Sequence, residues 1–208
     1  MSKSARPYIS VLAAGTLLLS ACGGGSDADS SDADPSGAEA PDSVAASADS
    51  SFNDADVMFA QGMIPHHEQA VEMASIALRP ESGASAEVQE LATAIQAAQD
   101  PEIELMTQWL QAWGEPVEMG EMDGMDHSGM DGMDGMMSED QMTSLTTLSG
   151  AEFDEAWVTM MIAHHRGAIE QAEAVKGAGS DPQVLALADE IIATQQAEIT
   201  RMEALSAG

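Results

Sequence analysis

Cysteine, aromatic residues and basic residues are all scarce in this chain, which has one Cys, 3% aromatics and six Lys or Arg in 208 residues. A single cysteine, Cys22, excludes an internal disulfide framework and thiolate metal clusters, so any soft-metal chemistry has to come from methionine thioethers. The lack of aromatics disfavours a strand-rich fold, and the abundance of Ala, Met, Gln, Glu and Leu from position 54 onward favours helices. Six basic residues against 36 acidic ones give a formal charge of -30. Such a surface repels nucleic acid and anionic lipid headgroups, attracts cations and keeps an exposed protein in solution. Long apolar runs are missing too. The stretch from Ile9 to Leu19 is too short to span a membrane stably.

That stretch follows a basic start, Lys3 and Arg6, and precedes the small residues Ser20 and Ala21, in the pattern of an export signal over residues 1–21. Leu19-Ser20-Ala21-Cys22 resembles the bacterial lipobox. The expectation is cleavage before Cys22, lipidation of that residue, and anchoring to the outer face of the cell membrane through it alone. Residues 23–50 are almost entirely Ser, Asp, Ala, Gly, Pro and Glu, and together with Cys22 they read as a disordered tether over 22–50. The folded domain is expected over 51–208.

Within it the chain repeats itself. Met63-Ile64-Pro65-His66-His67 matches Met161-Ile162-Ala163-His164-His165 at an offset of 98, and Asp56 matches Asp154 at the same offset. Val88, Leu91, Ile95, Gln99, Glu102, Ile103 and Met106 match Val184, Leu187, Ile191, Gln195, Glu198, Ile199 and Met202 at an offset of 96. Each copy is therefore a pair of helices. Asn53 or Asp54, Ser85, Ser149 with Glu152 as a capping box, and Asp181 before Pro182 mark four helix starts, while Gly114 and Gly177 mark stops. The fold class is all-α: a four-helix bundle made from two repeated hairpins, joined by a long Met-rich connection over 115–148, in which Ser138 and Gln141 predict a short extra helix. Pro65 and Pro101 fall inside helices, where the second copy has Ala163 and Ala197.

On the first helix Phe59, Met63, His66, Ala70, Met73 and Ala77 form one apolar stripe, and Ala60, Ile64, His67, Val71, Ala74 and Leu78 form the next. Trp157, Met161, His164, Ala168 and Val158, Ile162, His165, Ile169 repeat both stripes on the third. One histidine on an apolar face is commonly a satisfied core residue; four in two related pairs point to a metal. Imidazole suits copper or zinc, and a thioether one turn earlier favours Cu(I). Gln99, Glu102, Gln195 and Glu198 lie on apolar faces of the partner helices, either orienting the imidazoles, ligating directly, or pairing within the core.

Enzyme signatures fail. The Glu-x-x-His of bundle di-iron proteins is absent, since Met63, Ile64, Met161 and Ile162 stand where the Glu would be, and His67-Glu68 lacks the second His of a zinc-protease helix. The connection carries a different chemistry. Met119, Met122, Met125, Met130, Met133 and Met136 recur between Gly and Asp, with His127 among them, and eight of the 16 methionines fall from Met119 to Met142. Closely spaced thioethers close on one soft ion, Cu(I) or Ag(I), and the Asp residues with His127 also suit Cu(II).

The paired Met-Ile-x-His-His segments, Phe153-Asp154 before Trp157, and the Gln-x-x-Glu-Ile-x-x-Met tails resemble the domain of unknown function 305 family over roughly residues 51–206. The resemblance implies a ferritin-like bundle, copper binding outside the cytoplasm in some members, and Met63, His66, His67, Met161, His164 and His165 as the positions to carry over. Gln171, standing where the first copy has Met73, departs from the repeat. The expected function is non-catalytic capture of Cu(I), with Cu(II) as a second cargo, for sequestration, resistance or transfer to a partner protein, and with a homo-oligomer as an option. A bundle metal oxidase and a protein-interaction lipoprotein are the competing readings.

Overall fold

The computed structural model describes residues 51–118 and 135–206, and all of the described secondary structure is helical. Five α-helices run in the order α1 (Asp54–Ala77), α2 (Ala86–Trp113), α3 (Glu139–Thr147), α4 (Ala151–Ala178) and α5 (Pro182–Ser206), with a 3-10 turn at Pro80–Ser82. The export signal, Cys22 and the tether lie outside the described residues, as does most of the Met-rich connection. Among the described residues no helix is long and apolar enough to cross a membrane.

Local chemistry sets most of the boundaries. Asn53 accepts hydrogen bonds from the amides of Ala55 and Asp56, and the Asp56 carboxylate accepts one from Asn53 N, closing a capping box at the start of α1. Ser85 caps α2, and Ser138 with Gln141 forms the expected box at the start of α3. Gly114, with φ of 77°, ends α2 in a Schellman arrangement, its own amide bonding Gln111 O and the amide of Glu115 bonding Leu110 O. Two expectations fail at α4. Its N-cap is Gly150, at φ 61° with no side-chain cap, so the Ser149–Glu152 box does not form. A tertiary bond explains the shift: Gly150 N donates to Ser82 O at 2.7 Å and fixes the chain at the left-handed turn. Gly177 lies inside α4, which runs to Ala178 and stops at Gly179 in extended conformation. Helices α1 and α2 run through Pro65 and Pro101 without a break.

Each hairpin packs on itself, α1 on α2 and α4 on α5, and the hairpins meet through α1 and α4, with α3 against α4. The two first helices are antiparallel. At one end the buried Asp56 carboxylate of α1 accepts from the amides of Ser180 and Asp181 beyond the end of α4; at the other, Asp154 of α4 accepts from the amide of Ser85. The repeated aspartates thus tie each hairpin's first helix to the loop of the other hairpin.

Two apolar clusters form the core, and all four long helices contribute to both. One contains Ala70, Met73, Leu91, Ile95, Phe153, Trp157, Met161, Ile199 and Met202 with Leu145 of α3; Trp157 also donates its indole N–H to Met73 O at 3.0 Å. The other contains Phe59, Met63, Ile64, Met106, Trp109, Leu110, Ala168, Ala172, Leu187 and Ile191. On every long helix the chain passes from one cluster to the other through a short polar stretch.

Candidate metal centre

Those polar stretches coincide. His66 and His67 separate Ile64 from Ala70 on α1, Gln99 and Glu102 separate Ile95 from Met106 on α2, His164 and His165 separate Met161 from Ala168 on α4, and Gln195 and Glu198 separate Ile191 from Ile199 on α5. The four histidines are completely buried, and Gln99, Gln195 and Glu198 are buried with them. A polar layer therefore crosses the four long helices between the two apolar clusters.

Its internal pairing is symmetric. His67 Nε2 lies 2.7 Å from Glu102 Oε2, and His165 Nε2 lies 2.7 Å from Glu198 Oε2. Carboxylates only accept, so each ring donates from Nε2; in the neutral ring that leaves the lone pair on Nδ1. Neither Nδ1 has a hydrogen-bond partner in the protein. This is the carboxylate–histidine arrangement that fixes a tautomer and presents the opposite nitrogen as a ligand. Between these pairs the rings of His66 and His164 meet across the α1–α4 interface with centroids 3.9 Å apart, tilted by 44°.

Electrostatics keeps positive charge off His164. Burial holds the pKa of His164 well below the ordinary 6.5, and the neighbouring rings of His66, His165 and His67 push it the same way. At neutral pH His164 is therefore uncharged, a backbone hydrogen bond at His66 opposing the shift without reversing it. The side-chain amide of Gln99 is unpaired at both atoms, and Gln195 Oε1 is unpaired as well. Each such buried atom costs about 1–3 kcal/mol. For a domain whose whole stability is on the order of 5–15 kcal/mol, that is a large cost on folding, and it sets the layer apart from the apolar clusters on either side.

Among the described residues no three His, Cys, Asp or Glu side chains converge as a ready metal cluster. Methionines flank the histidines on both helices. Met63 and Met161 each precede the first histidine of their pair by one turn and are fully buried, Met63 in one cluster and Met161 in the other. Met73 lies two turns beyond His66, with Met161 and Met202. Met106 and Met202, fully buried and related by the repeat, extend the thioether set; sequence reasoning noted their match and gave them no role, although burial at equivalent positions was the available signal. Of the connection, Met136 falls within the described residues; Met119, Met122, Met125, His127, Met130 and Met133 lie outside them.

No curated protein matches the chain. Solved structures do. A protein from Streptomyces coelicolor described as secreted and as DUF305 aligns at 31% identity and TM-score 0.65, over 74% of this chain and 91% of that one. A DUF305 fragment from Deinococcus radiodurans aligns at 31% identity and TM-score 0.65, over 74% and 95%. CopM in its Cu(I)-bound form aligns at 31% identity and TM-score 0.57, over 72% and 94%, and CopM has also been solved with Cu(II) and with Ag. The family model described as domain of unknown function (DUF305) matches residues 56–206. The repeated His-His helices, the buried polar layer between them and this match agree: the chain belongs to the DUF305 family.

Proposed function

We propose that this protein is a non-catalytic, extracytoplasmic copper-binding lipoprotein, a ferritin-like four-helix bundle held at the cell membrane by lipidated Cys22, which captures Cu(I) in preference to Cu(II) for sequestration or transfer. The observation that carries this reading is the pair of imidazoles, His67 and His165, each bound to a glutamate through Nε2 and leaving a buried, unpartnered Nδ1. Nitrogen donors of this kind and thioethers within one turn on α1 and α4 favour a soft ion over a hard one. The copper- and silver-bound CopM structures support copper as the cargo, and the Streptomyces relative described as secreted supports an extracytoplasmic setting. Copper is substrate here, and the Met-rich connection is its expected first point of capture.

Anaerobic Cu(I) titration against a competing chelator tests the proposal. The full chain is expected to bind below micromolar concentration, and replacement of His66, His67, His164 and His165 by Ala together with removal of residues 119–134 is expected to abolish this. Unchanged affinity in that variant would overturn the reading.

A further inference from the structure

Two repeat-related positions that break the repeat, Gln69 and Gly167, act on the same short segment. Both sit three residues after the first histidine of their pair. Gln69 clamps the main chain of Met137 with two hydrogen bonds, donating from Nε2 to Met137 O at 2.9 Å and accepting from Met137 N at 2.7 Å. Gly167 leaves α4 bare where Gly135 comes down on it. A Cβ built on Gly135 would stand 2.7 Å from Ala163 O, 2.9 Å from His164 O and 3.0 Å from Gly167 Cα, and Gly135 has φ of 87°, a conformation side chains resist. Because α1 and α4 are antiparallel, Gln69 lies to one side of the His66–His164 level and Gly167 to the other. Residues 135–137 therefore cross the groove between the helices at the level of the histidine pair. Met137 itself and, beyond it, Met142 pack on the core, and Leu145 of α3 is buried in it, so the crossing is secured downstream.

We propose that Gln69 and Gly135 form a latch that seats Met136 and Met137 across the His66–His164 pair, so that their thioethers serve as additional ligands to a soft ion held by the polar layer. This rests on the copper reading above. Neither Gln69 nor Gly135 touches the ion; both are positioning residues. The gain is one of effective concentration: thioethers held at the layer bind without first closing a loop of chain. The second hairpin does not supply this clamp, because Gly167 stands where Gln69 does.

The test uses the full chain with Ag(I) alone as probe. Amide hydrogen exchange reads the latch, and Ag(I) competition reads the ligands. Gln69→Ala and Gly135→Ala are each expected to keep the wild-type helix content, to lose exchange protection over 136–142, and to weaken Ag(I) about tenfold, in line with the loss of a pre-positioned ligand. In a Met136→Leu, Met137→Leu background, which keeps volume and removes sulfur, the latch variants are expected to have no further effect on Ag(I). Release of the segment with unchanged Ag(I) affinity, undiminished protection in both variants, or a latch effect that persists without the sulfurs would overturn the latch. Should Gly135→Ala fail to fold, Gln69→Ala carries the same outcomes. A wild-type chain that binds no Ag(I) would overturn the copper reading instead.

Discussion

The two hairpins share a centre and differ in their surroundings. His67–Glu102 in one and His165–Glu198 in the other are both 2.7 Å pairs, and Gln99 and Gln195 occupy matching buried positions. Around them the copies diverge: Met73 matches Gln171 in the repeat, Gln69 matches Gly167, and the N-cap of α1 is Asn53 with a complete capping box whereas that of α4 is Gly150 with no side-chain cap. The difference teaches that the polar layer is the constrained feature. What varies decides which helix holds residues 135–137 and how firmly each helix begins.

The sharpest asymmetry is at the repeated aspartates. Asp56 is wholly buried and accepts from four donors, the amides of Asn53, Ser180 and Asp181 and the Ser180 hydroxyl, whereas Asp154 serves the one amide of Ser85. Asp56→Ala is expected to cost about 3 kcal/mol or more in urea unfolding, and Asp154→Ala about 1–2 kcal/mol. Equal losses would show that the ends of the hairpins are more alike than their hydrogen bonds imply.

Next in size is the metal. Glu102→Gln and Glu198→Gln each weaken the fixing of an imidazole and are expected to lower Cu(I) affinity by about 10–100-fold, to similar degrees. A large effect in one half and none in the other, read by chelator competition, would break the equivalence of the two sites. Smaller effects separate the two glutamines. Gln99→Leu removes an amide unpaired at both atoms and is expected to stabilise the metal-free protein by about 1–3 kcal/mol, with Gln195→Leu, at Oε1 alone, gaining less. Destabilisation by both would mean that the layer is satisfied in a way its geometry does not reveal.

The smallest effect is that of pH. The pKa of His164 is depressed on folding, so the unfolded chain takes up a proton near pH 6.5 that the folded chain refuses. Its contribution to stability is complete above that pH and is lost as pH falls through 6.5 toward the folded value. Urea midpoints at pH 7.5 and 5.5 should differ accordingly, and less so in His164→Gln.

Much of this was legible beforehand because the signals were local. The offset of 98 located both His-His segments, the stripe pattern buried them correctly, and Ser138 with Gln141 located α3. The start of α4 was misread because a distant carbonyl, Ser82 O, and not the adjacent Ser149, decides where the chain turns. The polar partners Gln99, Glu102, Gln195 and Glu198 were found, but their division of labour was not, since only folding shows that the glutamates reach Nε2 while the glutamines stay unpaired. The clamp of Gln69 on Met137 gave no sequence signal beyond a mismatch in the repeat, and a mismatch alone does not say what it contacts.

The central claim is that His67 and His165 hold Nε2 to a carboxylate and offer Nδ1 to a soft ion. Imidazole nitrogen NMR of the full chain, with and without Ag(I), tests it directly. The account predicts Nε2-protonated rings for both residues in the metal-free protein and a large shift confined to Nδ1 on Ag(I) addition. Nδ1-protonated rings, or Nδ1 signals unmoved by a saturating ion, would contradict it.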